Sequence, residues 1–139
     1  MIVCDTGPLV AAALSNDAHH VACVKLFTSL HEAGIELLVP ATVAAEVGYL
    51  LAREAGPRVE SLFLRSLAVG DFSPVDLTSE DYARMTDLVV RYADLPLGTT
   101  DASVVAVAER FKVDEVATLD RRHFSVVRPN HVGALKLLP

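Results

Sequence analysis

Short apolar runs alternate along this chain with longer segments of helical periodicity. The runs of strand character fall at residues 1–4, 35–39, 72–77, 115–119 and 135–138, and the helical segments at 8–14, 17–34, 42–54, 59–67, 79–92 and 99–111. The third run contains Pro74, which is typical of an edge strand. Strands that alternate with helices in this way predict an α/β fold. We expect a central, mainly parallel sheet of four to five strands, flanked by helices on both faces.

The 139 residues, 52% of them hydrophobic, fit a single domain over residues 1–139 with one core. Cys4 and Cys23 stand in apolar surroundings without a C-x-x-C pattern, which indicates buried thiols in a reducing compartment. The sequence has no charged leader, and no apolar stretch approaches the ~18 residues of a membrane helix. We therefore expect a cytoplasmic protein with no membrane partner.

Four acidic residues occupy positions from which their side chains can converge. Asp5 and Asp120 each follow an apolar strand, at the end where open parallel sheets bind ligands. Asp101 opens an unusually apolar helix. Taken singly, a turn or a helix cap explains each of these three better than a functional site.

Glu46 is more informative because the helical pattern predicts that it lies on a buried face, beside Val43 and Val47. A buried carboxylate is uncommon unless it is paired or bound to metal. Two explanations remain open from the residues alone. Glu46 binds a metal ion, or an arginine such as Arg53 or Arg65 reaches it from another position.

Convergence of four carboxylates requires protons or cations. At an effective dielectric of ~20 and ~6 Å separation, each pair repels by about 3 kcal/mol, and six pairs total on the order of 10–20 kcal/mol before screening. That is comparable with the stability of a whole domain. Oxygen ligands suit Mg²⁺ or Mn²⁺, and the absence of a His/Cys cluster argues against zinc. Such ions could activate water against a phosphodiester and offset, locally, a net charge of −6 that otherwise disfavours nucleic-acid binding.

Four ordered segments carry a resemblance that spans almost the whole chain. They are Ile2-Val3-Cys4-Asp5-Thr6, Ala45-Glu46-Val47, Leu97-Gly98-Thr99-Thr100-Asp101-Ala102 and Thr118-Leu119-Asp120-Arg121-Arg122-His123-Phe124. In their order and spacing the chain resembles the PIN-domain nucleases, and among them the VapC-type toxins of bacterial toxin–antitoxin pairs. The resemblance implies a PIN-like fold and a Mg²⁺- or Mn²⁺-dependent endoribonuclease. It also implies a homodimer that a cognate antitoxin neutralises.

The resemblance also implies roles for individual residues. Asp5, Glu46, Asp101 and Asp120 correspond to the catalytic, metal-binding acids, with Asp5 and Asp101 as main ligands and Glu46 as a ligand or general base. Thr6 and Thr118 match positions that orient the site through their hydroxyl groups. Asp94, seven residues before Asp101, also has a counterpart in the family, and we interpret it as a supporting loop acid.

A basic cluster follows the last of these acids, comprising Arg121, Arg122, His123 and Arg128. As a group beside the site, these residues are predicted to bind RNA phosphates. For any one of them, a solvated turn with an arginine paired to Asp114 or Glu115 is the simpler explanation.

Other functional classes fit the sequence less well. A magnesium-binding receiver domain would show an acidic pair after its first strand, whereas Asp5 is followed by Thr6 and Gly7. A haloacid-dehalogenase-like phosphatase would require D-x-D, and Gly7 occupies the position of the second acid. A catalytically inactive PIN-like module that binds RNA or protein is the remaining alternative, disfavoured because all four acids are present.

Overall fold

The computed structural model describes residues 1–139. Its five strands are β1 (Ile2–Cys4), β2 (Leu37–Pro40), β3 (Ser73–Val75), β4 (Glu115–Ala117) and β5 (Lys136–Leu138). Its seven helices are α1 (Thr6–Ala13), α2 (His20–Glu32), α3 (Ala41–Ala55), α4 (Pro57–Ala68), α5 (Ser79–Arg91), α6 (Thr99–Phe111) and α7 (Arg121–Phe124). The strands form one sheet in the order β3-β2-β1-β4-β5. Every neighbouring pair is parallel, so the predicted α/β fold is confirmed.

Strand β1 lies at the centre of the sheet and is completely buried. Val3 pairs with Leu38 of β2 on one side and with Val116 of β4 on the other. From β1 the chain first builds the sheet outward through β2 and β3, and it then returns to add β4 and β5 on the opposite side. The strand order therefore switches between β1 and β4, and open parallel sheets bind ligands beyond the carboxyl ends of such strands.

Helix α6 is a buried helix that packs beside the centre of the sheet. Residues 102–108 are all buried, since their small and β-branched side chains pack against α3, α5, β1 and β2. A helix that is apolar on all sides must be covered by its neighbours. Two ion pairs join α6 to α5: Arg84 with Glu109 at 2.8 Å, and Arg110 with Asp81 at 3.0 Å. These ion pairs hold the C-terminal end of α6 against α5, and the buried middle of the helix packs beside the sheet.

Element boundaries differ modestly from the predicted ones. The strand predicted at residues 72–77 is the shorter β3, and it is an edge strand as Pro74 indicated. Helix α2 begins at His20 because Asp17 accepts the backbone N–H of His19, at 2.7 Å, within the preceding turn. Helix α7 was not predicted, since four residues are too few to show a helical period. Both cysteines are free and buried, and none of the helices combines the length and apolarity needed to cross a membrane.

Candidate active site

A pocket of about 690 Å³ opens beyond the carboxyl ends of β1 and β4. Only one of the residues around it is hydrophobic. The structure brings the four predicted acids together in this pocket, although they come from four separate parts of the chain. The lining residues are Asp5, Thr6, Gly7, Glu46, Gly98, Thr99, Thr100, Asp101, Leu119 and Asp120.

Asp5 is the most buried of the four acids, with 6% of its surface exposed. It directly follows β1, and its backbone N–H donates to the Ala117 carbonyl of β4 at 2.9 Å. The hydroxyl of Thr118 donates to Asp5 Oδ2 at 2.8 Å. Burial raises the pKa of Asp5 to about 6, against the lowering effect of the hydrogen bonds from Thr118 and the Thr6 backbone. The nearby charges of Asp101 and Glu46 raise this pKa further.

Asp101 lies in the first turn of α6, where its Oδ2 accepts the backbone N–H of Gly98 at 3.3 Å. Burial is the main cause of a raised pKa for Asp101, and the charges of Asp120 and Glu46 act in the same direction. The Gly98 N–H and His123 oppose that rise. Asp5 and Asp101 therefore both have raised pKa values, because burial and the neighbouring carboxylates disfavour their ionised forms.

Asp120 stands between β4 and α7 and is held on both sides. Its backbone N–H donates to the Thr118 hydroxyl at 3.0 Å, and its Oδ1 accepts the backbone N–H of His123 at 3.0 Å. The His123 ring nitrogen Nδ1 lies 2.7 Å from Asp120 Oδ2 and 3.4 Å from Asp101 Oδ2. Sequence reasoning placed His123 only in the basic cluster; its spacing of three residues from Asp120 was the signal for a contact within the site.

Glu46 requires a correction. The prediction that it lies on the buried face of its helix is wrong, because Val43 and Val47 are completely buried whereas Glu46 is exposed. Glu46 is rotated by about 60–100° from these two positions, so it borders the buried stripe and faces the pocket. Neither proposed arginine reaches it: Arg53 pairs with Glu54 at 2.9 Å, and Arg65 forms no ion pair.

Of the residues predicted to support the site, Thr6 and Thr118 lie at the acids and Asp94 does not. Thr118 contacts two of the acids, and Thr6 lines the pocket with a buried hydroxyl that has no hydrogen-bond partner. Asp94 is exposed and does not line the pocket. The three arginines also lie outside the pocket lining and are exposed.

The basic cluster is not paired as the simpler explanation supposed. Arg121 donates to the Pro139 carbonyl at 2.6 Å, and Arg128 donates to the Ser125 carbonyl at 2.9 Å. The Arg122 guanidinium has neither an ion pair nor a hydrogen bond. Glu115 pairs with Lys136 instead, at 3.2 Å.

The donor set of the pocket fits a divalent cation. No lysine or arginine forms an ion pair with any of the four acids, and His123 is the one basic side chain within 4.0 Å of them. Donor atoms of Asp101, Asp120 and His123 lie within 4.8 Å of one another. Carboxylate oxygens are the preferred ligands of Mg²⁺ and Mn²⁺, and a bound cation would favour the ionised forms of Asp5 and Asp101.

The chain is similar to known proteins over most of its length. The model of the PIN domain family matches residues 2–128. Ribonuclease VapC26 of Mycobacterium tuberculosis (strain ATCC 25618 / H37Rv) is 32% identical over 138 residues, which cover 99% of this chain and 100% of that protein.

Solved structures show the same fold at lower identity. Mycobacterium tuberculosis VapC20, a toxin that cleaves the sarcin–ricin loop, superposes with a TM-score of 0.76 at 20% identity, over 84% of this chain and 87% of that one. VapBC2 from Rickettsia felis, bound to a DNA fragment from its promoter, gives a TM-score of 0.69 at 14% identity, over 100% of both chains. FitAcB from Neisseria gonorrhoeae gives 0.64 at 16% identity, over 87% of this chain and 88% of that one.

Proposed function

This chain belongs to the PIN domain family, and from that premise we propose that it is the toxic endoribonuclease of a toxin–antitoxin pair. One observation carries the proposal: four carboxylates share a pocket in which no lysine or arginine neutralises them. The full-length relative named as a ribonuclease supports RNA as the substrate. A receiver-type signalling role has no such support.

We infer that Asp5, Asp101 and Asp120 hold Mg²⁺ or Mn²⁺, with Glu46 as a further ligand or as the general base. Such an ion supplies positive charge for the scissile phosphate and a water acidic enough to attack a phosphodiester near neutral pH. The exposure of Glu46 at the pocket suits a base, because its carboxyl group is open to solvent on the substrate side.

The chain itself supplies the positions of these groups. The Thr118 hydroxyl donates to Asp5 and accepts from the Asp120 backbone, so one buried side chain sets two acids relative to each other. Gly98 holds Asp101 at the start of α6. Pre-set ligands bind a cation without first losing side-chain freedom, which favours tight and specific binding.

The proposal includes partners. RNA is the substrate, which places the activity in the cytoplasm, and a cognate antitoxin is the protein that restrains it. Support for the antitoxin comes from the relatives, one named as a toxin and another as a VapBC pair. A homodimer is part of the same proposal and follows only from the family resemblance.

RNA cleavage by the purified protein tests this function. With Mg²⁺ or Mn²⁺, the protein is expected to cut RNA, and Asp101→Asn should lower kcat/KM by at least about a hundredfold. The circular dichroism and the cooperative unfolding of the variant should be unchanged. Asp71→Asn, which alters an exposed acid on the loop before β3, is the matched control. No cleavage with either metal, together with normal growth on expression without a partner, would contradict the proposal.

A further inference from the structure

His123 places a ring nitrogen beside Asp101 and Asp120, two acids of a pocket whose lining side chains offer only oxygen ligands. Its Nδ1 lies 2.7 Å from Asp120 Oδ2 and 3.4 Å from Asp101 Oδ2. This nitrogen is shielded from solvent, yet neither contact has the alignment of a hydrogen bond. A buried ring nitrogen without a partner is uncommon and calls for an explanation.

The spacing of the three donor atoms matches ligands that share one cation. Ligands at about 2.1 Å from an octahedral ion lie about 3 Å apart at adjacent positions. The distances from Nδ1 to the two carboxylates lie on either side of that value, and all three donor atoms lie within 4.8 Å of one another. Ligands of a common ion point at the ion and not at each other, which explains why two short contacts are not aligned as hydrogen bonds.

Helix α7 holds His123 in this position. Phe124 anchors the helix in the core, with 1% of its surface exposed. The backbone N–H of His123 donates to Asp120 Oδ1 at 3.0 Å, which leaves Asp120 Oδ2 beside the ring. The side chain can therefore act on the pocket without a change in the backbone.

We propose that His123 is a ligand of the divalent cation, through Nδ1 and together with Asp101 and Asp120, and that it makes the site prefer Mn²⁺ to Mg²⁺. Mg²⁺ keeps oxygen ligands and water, whereas first-row transition metals accept an imidazole nitrogen more readily. The inference rests on the proposed function, since it concerns the metal of that same site.

Electron spin-echo spectroscopy of the Mn²⁺-loaded protein detects a directly bound imidazole nitrogen through its ¹⁴N coupling. We expect this coupling in the native protein and in His19→Ala, which removes an exposed histidine just before α2. The coupling is expected to be absent from His123→Ala. Calorimetric titration of the same proteins should show Mn²⁺ affinity reduced by at least about tenfold in His123→Ala, because loss of even an indirect contact to a metal ligand typically costs about 10–100-fold. Mg²⁺ affinity should change much less.

The outcomes separate the possibilities. Bound Mn²⁺ without ¹⁴N coupling in the native protein would overturn the inference, since His123 would then only form an ion pair with the two carboxylates, and the proposed nuclease would stand. An equal loss of Mn²⁺ and Mg²⁺ affinity in His123→Ala would overturn the preference for Mn²⁺. No Mn²⁺ binding at all would overturn both this inference and the metal-dependent function. Because the ¹⁴N signal is measured on the native chain, a variant that fails to fold does not affect the decision.

Discussion

At the scale of single residues, the Thr118 hydroxyl connects two acids that are 115 positions apart in the sequence. It is buried, donates to the Asp5 carboxylate and accepts from the Asp120 backbone. Its hydrogen bond to Asp5 lowers a pKa that burial raises. Desolvation and neighbouring charges therefore raise the pKa of Asp5 while hydrogen bonds lower it, and the hydrogen bond from Thr118 can be removed by mutation.

Asp5 should make the metal-free protein less stable as the pH rises. Its pKa is raised from 3.8 to about 6 in the folded state, so the folded protein binds the extra proton between these values. The stabilisation by this tighter proton binding is complete below pH 4 and is lost as the pH rises through 6. Over the full range it changes the free energy of unfolding by about 3 kcal/mol. Between pH 5 and 7.5 we expect the free energy of unfolding of the native protein to fall by roughly 1 kcal/mol relative to that of Asp5→Asn. Urea unfolding in the presence of a chelator measures this difference in stability. Free energies of unfolding that change with pH in parallel for the two proteins would contradict the prediction.

Thr118→Val should raise the pKa of Asp5 above about 6, because it removes the donor that favours the carboxylate. Metal binding requires the ionised form, so the pH at which Mn²⁺ affinity is half-maximal should move upward by a measurable fraction of a unit or more. Thr118→Ser keeps the hydroxyl and is the matched control, expected to retain the native profile. An unshifted Thr118→Val profile would mean that the hydroxyl does not tune Asp5.

At the scale of elements, α5 packs on α6, the helix that carries Asp101, and ion pairs join the two helices near the C-terminal end of α6. Asp81 contributes twice: it completes a capping box with Thr78 at the start of α5, and it pairs with Arg110 of α6 at 3.0 Å. Asp81 is almost completely buried, whereas Arg110 is about a third exposed. Loss of one partner from such a pair leaves the other charge without compensation.

Asp81→Ala should lower the free energy of unfolding by about 2–4 kcal/mol, since it removes the helix cap and one partner of the pair. Asp81→Asn keeps an acceptor for the Thr78 N–H and should lose less. Arg53→Ala is the control, because its ion pair with Glu54 is exposed to solvent and such pairs contribute little to stability. Urea unfolding ranks the three variants. Equal losses for Asp81→Ala and Arg53→Ala would mean that the ion pair between Asp81 and Arg110 does not fix α5 on α6.

The elements also show how far the sequence could predict the structure. Asp5 and Asp120 were located well because an apolar run followed by an acid marks the carboxyl end of a buried strand. Glu46 was placed on the wrong face because periodicity resolves a stripe of the helix but not its border, where one residue is exposed beside two that are buried. The contact of His123 was missed because helix α7 is too short for a period, and its position depends on Phe124 packing into the core.

At the scale of the whole molecule, topology concentrates negative charge at one edge of the sheet. The acids of the pocket follow β1 and β4 or lie on α3 and α6, all at the point where the strand order switches. A chain with a net charge of −6 repels RNA at long range. Binding of RNA therefore requires local positive charge, from cations in the pocket and from the arginines on and after α7.

The three arginines should contribute unequally to RNA binding. Arg121 and Arg128 already donate to backbone carbonyls, whereas the Arg122 guanidinium has no partner and is free to contact a phosphate. In an Asp101→Asn background, which is expected to suppress cleavage, Arg122→Ala should weaken RNA binding. It should also reduce the salt slope, d log K/d log[salt], by about 0.7 for one single-stranded phosphate contact. Arg121→Ala should have a smaller effect than Arg122→Ala, and Lys25→Ala, an exposed change on α2, should have none. Fluorescence anisotropy titrations from low to moderate salt measure these salt slopes. If the double variant Arg121→Ala plus Arg122→Ala left the slope unchanged, the two arginines would have a structural role.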